Sequence, residues 1–366
     1  GLDISIDMMN SIQVALPTDR DVTDIKSFGG DKRRLGVAER FFVDLSSVKI
    51  ETLRRRLRLM IFRKEFSQRL DMVTEKIETC NNACSQVKDS RSLRVLLKTV
   101  IRLGNTLDEL GGRTGGARGI RVKSLVELKR TKSFDKKTTL LDFLEMQMFD
   151  QAPNACQVHE ELHSIFGASR VSIPGVYSEI MSLRKGIQDI KTEIKSIEKQ
   201  MHQHKNFSPE KTQHIENSLK SLHDFTAHSE REVERASEVF QSVRQKFNDL
   251  TRWFGESDSM TSEDFFGTLY EFVMQFRDAH TKAQEIRHRN RVQEAINAAR
   301  KSRSSNRESR RMSSNGDGSL SPKTKRMSLE IGLASRRALL SIARQNDHGG
   351  DDDESWDDDS PSSPFF

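Results

Sequence analysis

The stretch IPGVYSEIMSLRKGIQDIKTEIKSIEKQM, residues 173–201, decides the fold. Its apolar residues Ile173, Val176, Ile180, Leu183, Ile187, Ile190, Ile194, Ile197 and Met201 step alternately by three and four. That spacing puts them on one stripe of a helix, a seam that must be covered by a partner. A polar segment with Pro209 follows, and a second seam starts at Ile215, Leu219 and Leu222. It resumes in the same register at Val233, Ala236, Phe240, Val243, Phe247, Leu250 and Phe254, with Thr226 and Ser229 where the stripe lapses. A connection of about ten residues favours an antiparallel hairpin of two long helices that pair within the chain.

Working outward, the same period recurs. Leu35 to Leu45 reads as an apolar helix with charges on one side, and Arg54 to Phe66 alternates Arg with Leu, Met, Ile and Phe, leaving one basic face. Val73 to Ile77 continues the pattern through Cys80 and Cys84. Leu93, Leu96, Leu97, Val100 and Leu103 mark another amphipathic helix, and Gly104-Asn105 fits its C-terminal cap. A Gly-rich loop, Gly111 to Gly119, precedes renewed helical character at Leu125. Ser262-Glu263-Asp264 opens one more helix, Phe265 to His280. No stretch alternates with period two. The fold expected is all-α: an elongated multi-helix domain with a long antiparallel, coiled-coil-like hairpin, followed by a disordered tail.

Composition narrows the class. Hydrophobic residues are 34% and charged residues 31%, and there are seven prolines, as suits long solvated helices. Three cysteines form no disulfide framework, which points to a reducing, cytoplasmic setting. No run of 18 apolar residues offers a membrane span, and Gly1–Asn10 has no basic leader region. The missing initiator Met suggests a piece of a longer chain. Twenty Phe beside two Tyr and two Trp is an unusual balance.

The net charge of +6 hides an asymmetry. Arg300 to Arg344 holds twelve Lys/Arg and three acids, whereas Asp347 to Phe366 holds eight acids and no base. Opposite charge blocks of this kind are interaction tails. The body is only mildly basic, which argues against a dedicated nucleic-acid domain.

Little here suggests covalent chemistry. Cys80 and Cys84 lie four apart but lack a second Cys or His pair at zinc spacing, so they read as buried small hydrophobes. No phosphate loop and no nucleophile–base grouping stands out. The chain is expected to be no enzyme, with no cofactor and no metal.

One region resembles a known family. Gly104-Asn105-Thr106-Leu107-Asp108, the glycines through Gly119-Ile120, Leu125 to Asp135 with Thr131-Lys132-Ser133, and Thr139-Leu140-Leu141-Asp142-Phe143-Leu144 are similar to the signature of the formin homology 2 domain. That signature reads Gly-Asn-x-Met-Asn, a Gly-rich loop ending Gly-Phe, Leu-x-x-Leu-x-Asp-Thr-Lys-Ser and Thr-Leu-Leu-x-x-Leu. The resemblance extends back through Leu16-Pro17-Thr18 and Phe28-Gly29-Gly30-Asp31, and forward to Glu263-Asp264-Phe265-Phe266. Leu107-Asp108 replaces Met-Asn, Ile120 replaces Phe, and Arg130 replaces the Asp before Thr-Lys-Ser.

The resemblance implies a partial formin homology 2 domain over 1–285, its C-terminal two-thirds, with the hairpin at 173–254. The family's N-terminal lasso, linker and principal actin-contacting Ile would lie upstream. It further implies a cytoskeletal, actin-assembling protein that works as a homodimer at the growing barbed end, nucleating and elongating filaments. Lys132, Lys136 and Arg130 would contact actin, and Gly104, Asn105 and Gly119 would receive the partner's lasso. Profilin would not bind through this stretch, which lacks the proline-rich region.

Beyond the domain, residues 286–328 read as a basic Ser/Arg-rich linker, 329–345 as a short amphipathic helix and 346–366 as an acidic disordered tail. Ser313 and Ser328 each follow a basic pair, as basophilic kinases prefer. Leu339, Leu340 and Trp356, in an apolar helix followed by an acidic run, resemble the tail of branching-complex activators of the Wiskott–Aldrich type. Such a tail binds actin monomers or that complex; the alternatives are an acidic tail that improves solubility or folds back on the basic segment, and an autoinhibitory contact. The alternative is a helical coiled-coil scaffold whose basic residues, Arg54-Arg55-Arg56 and the 300–311 run, bind RNA, microtubules or a membrane surface.

Overall fold

The computed structural model describes residues 4–30, 35–45, 49–112, 114–133, 136–203 and 208–313. Every helix or strand element among them is helical, and the β-type contact they contain is an isolated antiparallel bridge, Lys132 with Thr139. The chain divides into two compact units, Gly1–Thr281 and Lys282–Phe366. No described helix is long and apolar enough to cross a membrane.

The first unit is organised by three long helices, α4 (Ile50–Asp89), α10 (Ile173–Gln203) and α11 (Pro209–Trp253). α10 and α11 form the expected hairpin; Val176, Ile180, Leu183, Ile187, Ile190 and Ile194 of one and Val233, Phe240, Val243, Phe247 and Leu250 of the other are buried. Thr226 and Ser229 are buried too, so the stripe continues through them as small side chains. The Thr226 hydroxyl donates to the His223 carbonyl at 3.0 Å, which lets it enter an apolar seam without an unmet bond. Towards the hairpin tip Ile197, Met201, Ile215, Leu219 and Leu222 are only half-buried.

α4 is the third member of this bundle and packs on both hairpin helices. Its apolar stripe, Phe66, Val73, Ile77, Cys80, Cys84 and Val87, closes the core. Phe66 meets Phe225 edge to face at 5.4 Å, and Phe62 meets Phe66 the same way at 5.9 Å. Gly186 makes the approach of α4 to α10 possible: a Cβ there would fall 2.3 Å from the Phe62 ring. The basic face of α4 also turns to the hairpin. Arg55 and Arg56 both reach the buried Glu193 at 2.6 Å, Arg63 donates to Ser221, and Arg69 pairs with Glu179 at 3.1 Å. Arg54 is held by Glu51 and the Pro17 carbonyl. Much of this basic face is thus a set of inter-helix clamps, because Arg55, Arg56, Arg63 and Arg69 each meet an acid or hydroxyl across the groove.

Three short helices, α1 (Ile6–Ala15), α2 (Asp19–Ser27) and α3 (Val37–Leu45), precede the bundle. Met9 and Leu16 bury against Leu57 and Ile61, attaching α1 to the start of α4. At the other end, α12 (Ser262–Ser313) begins with a stack of phenylalanines. Phe265 touches Phe247, Phe254 and Phe266 at centroid distances of 5.2–5.8 Å, and Phe265, Phe266, Phe272 and Phe276 are fully buried. The skewed aromatic composition gains a physical reason here. A ring with no hydroxyl or N–H can be buried on all sides without a hydrogen-bond partner.

Two helix ends differ from the sequence reading. α12 does not stop at His280 but runs to Ser313; Arg is the commonest residue of the added turns, and Arg, Ala and Glu there are good helix formers. α5 (Arg91–Leu110) does not end at Gly104-Asn105 either; it passes through them and is capped at Gly111. Gly104 has no positive φ, whereas Gly112, just beyond the cap, has φ +76°.

Candidate partner-binding surface

The segment that carries the family-like motifs hangs between α5 and α7 (Leu140–Gln151), with the short α6 (Val122–Glu127) inside it. Asn105 organises the Gly-rich loop. Its Oδ1 accepts from the backbone N–H of Gly116 and Ala117 at 3.1 and 2.9 Å, and its Nδ2 donates to the Ala117 carbonyl at 3.0 Å. Gly115 lies so close to α5 that a Cβ would fall 2.9 Å from the Asn105 carbonyl. Asn105 is therefore a staple within the helix, which is why the helix need not stop there. Gly104 and Gly119 are exposed, with open space where a side chain would begin.

After the loop, Ile120 packs on the core and the Val122 N–H donates to Glu256 at 2.7 Å, fixing the start of α6. The chain then makes a tight hairpin rather than a helix end. Ser133 N donates to the Thr138 carbonyl at 2.8 Å, and Leu140 N to the Thr131 carbonyl at 2.8 Å. Lys132 sits in the bridge between these bonds, opposite Thr139. Thr139 and Asp142 form a reciprocal capping box at the start of α7. Leu128 and Leu141 are buried beneath, joined by a 3.2 Å backbone bond. On so well-tied a backbone an exposed lysine has only its side chain left to order when it meets a partner, which lowers the cost of that meeting.

Arg130, Lys132 and Lys136 are all exposed, as the sequence anticipates. The structure separates them. Arg130 is bound to Glu127 at 2.7 Å, so part of its charge is neutralised. Among the described residues Lys132 and Lys136 make no ion pair. Lys136 has φ +58°, left-handed backbone that a side chain disfavours. Arg118, Arg121, Lys123 and Lys129 are also exposed in this segment; their density against the acids Glu127 and Asp135 is the sequence signal that marks them. Ser313 ends α12. Ser328, Leu339, Leu340 and Trp356, with the segments 329–345 and 346–366, lie outside the described residues.

Other candidates are inert or structural. Burial pushes the Cys80 and Cys84 thiols up to about 12, so neither is a nucleophile at neutral pH. Burial works against the Glu161 carboxylate, but hydrogen bonds from Ser90, Ser92 and their neighbours' backbone hold its pKa below the ordinary value. Ser90 Oγ lies 2.5 Å from it while also capping α5. A different donor set has metal-ligand character: Glu145, Cys156 and His280, all buried. No linear spacing announces it, because its members are up to 135 residues apart.

The model of the Formin Homology 2 Domain matches residues 2–277 of this chain. Formin-like protein 16 of Arabidopsis thaliana is 26% identical over 278 residues, covering 76% of this chain and 37% of that protein. Formin-like protein 12 of Oryza sativa is 28% identical over 284 residues, 76% of this chain and 16% of its own length. Disheveled-associated activator of morphogenesis 2 of Homo sapiens is 26% identical over 295 residues, 80% of this chain and 26% of its own. The chain thus spans well under half the length of these relatives.

Proposed function

Since the chain belongs to the formin homology 2 domain family, we propose that it acts in actin assembly as a non-enzymatic binding protein. In this reading the full-length protein engages filament barbed ends as a homodimer, nucleating filaments and remaining attached as they grow. Binding energy that holds actin subunits in filament geometry lowers the entropic cost of nucleation, so no bond need be made or broken. The observation that carries the proposal is the tied hairpin bearing Lys132 within a segment that matches the family. Exposed cations on a fixed backbone suit an acidic partner surface, where they steer approach and set orientation. Lys136 belongs to the same contact and Arg130 to its edge, while Gly104 and Gly119, with Asn105 holding the loop between them, form the surface that receives a second subunit. The tail around Leu339, Leu340 and Trp356 is proposed to add a contact to monomeric actin or the branching complex. Phosphorylation at Ser313 and Ser328 would weaken the basic segment's field.

The scaffold alternative draws less support, because Arg54, Arg55 and Arg56 are engaged inside the first unit. Barbed-end binding by the full chain is the test. Lys132→Asp is expected to weaken it at least tenfold while leaving unfolding within about 0.5 kcal/mol, the usual range for a surface change. Unaltered binding in that variant removes Lys132 from the contact. Absence of any actin binding by the parent chain, alongside salt-sensitive RNA binding, supports the scaffold instead.

A further inference from the structure

We propose that Glu145, Cys156 and His280 form a binding site for a divalent transition metal, with zinc the best chemical match. The three come from separate elements: α7, the 3-10 turn Pro153–Gln157 that follows it, and α12. One donor atom from each lies within 4.8 Å of the other two. Nδ1 of His280 is 2.7 Å from a Glu145 carboxylate oxygen, so two of the donors already converge. Cys156 is fully buried and Glu145 is 1% exposed; His280, at 8%, is the least buried of the three.

Donor chemistry selects the ion. A thiolate, an imidazole nitrogen and a carboxylate oxygen are the ligands that zinc takes, and a thiolate disfavours magnesium and calcium. Charge points the same way. A carboxylate taken this far from water is costly unless compensated. A dication with one thiolate, one carboxylate and a neutral imidazole carries no net charge, which suits the interior. Loading the site displaces the Cys156 thiol proton to solvent and requires the imidazole proton on Nε2, leaving the Nδ1 lone pair to bind. Three protein donors leave a fourth position for water or another oxygen. The consequence is mechanical: the ion clasps the end of the first unit's share of α12 to α7 and the turn after it.

The competing account is a hydrogen-bonded cluster in which Glu145 pairs with His280 and Cys156 lies beside them, with no ion. Metal analysis of the full chain, purified and dialysed without chelator, separates the two. We expect one zinc per chain. Cobalt added to the metal-stripped chain should give a thiolate charge-transfer band and the visible bands of a tetrahedral ion. Cys156→Ser is expected to abolish the charge-transfer band, and Glu145→Gln to weaken binding roughly tenfold or more, at least the loss seen for outer-shell partners. Cys80→Ser, a buried thiol outside the group, should keep the band. A parent chain that retains no zinc and gives no cobalt band overturns the proposal, whether or not the variants fold. So does a band that survives Cys156→Ser.

Discussion

The helical bundle and the loop segment between α5 and α7 use the same residues for opposite ends. In the bundle, arginines on α4 are spent on Glu193, Ser221 and Glu179, contacts made within the fold. Between α5 and α7, cations project from a backbone that is tied down by other means: Asn105, a bridge and a capping box. A cation becomes available to a partner when the backbone beneath it is fixed by groups that do not need its charge. Counting Lys and Arg along the sequence does not distinguish these cases; the location of their acids does.

The largest test of that contrast is in the bundle. Phe66→Ala removes the ring that Phe62 and Phe225 pack against, and should cost about 3–5 kcal/mol by chemical denaturation. Loss of that size without loss of actin binding in the surviving folded fraction would show that the two regions are independent. Asn105→Ala strikes the other side. We expect about 1–2 kcal/mol of local stability to be lost, read as faster hydrogen exchange at the Gly116 and Ala117 amides, with the bundle amides unchanged. Uniform loss of protection across the bundle would mean that the loop supports the core.

A smaller effect concerns pH. Glu161 has a folded pKa below its ordinary value, so its contribution is complete above about 4.3 and is lost as pH falls through the lower folded value. Glu161→Gln should lower stability at neutral pH, flatten this part of the acid limb, and approach the parent as pH falls below the folded value. Smallest of all, Lys136→Gly relieves a left-handed side-chain position and should raise stability by no more than about 1 kcal/mol. If it also weakens actin binding, the charge at that position is used despite its strain.

The hairpin was legible in the sequence because its period runs unbroken over nine apolar positions of α10, which no local feature contradicts. The partnership of α4 with that hairpin was not, because Arg56 and Glu193 are 137 residues apart and neither carries a mark of the other. Gly104-Asn105 read as a stop since both residues weaken helices locally; the loop bonds that justify Asn105 are tertiary. The length of α12 was missed for another reason. Its later turns have helical propensity without an apolar seam, and propensity alone does not fix where a helix ends. Of the candidate surface, exposure of Lys132 and Lys136 followed from charge alone, whereas the Glu127 pair that occupies Arg130 needed coordinates.

The order of the bundle's members along the chain also has a consequence for its birth. α4 is complete by Asp89, yet the helices that cover its apolar stripe end at Trp253. At ordinary translation speeds the gap is on the order of ten seconds. Through that interval Phe66, Val73 and Ile77 lack the cover of the complete hairpin, of which α10 ends at Gln203 and α11 only at Trp253. The nascent chain must therefore keep a finished helix out of trouble, either by a temporary internal collapse or in the grip of a chaperone, until its hairpin leaves the ribosome.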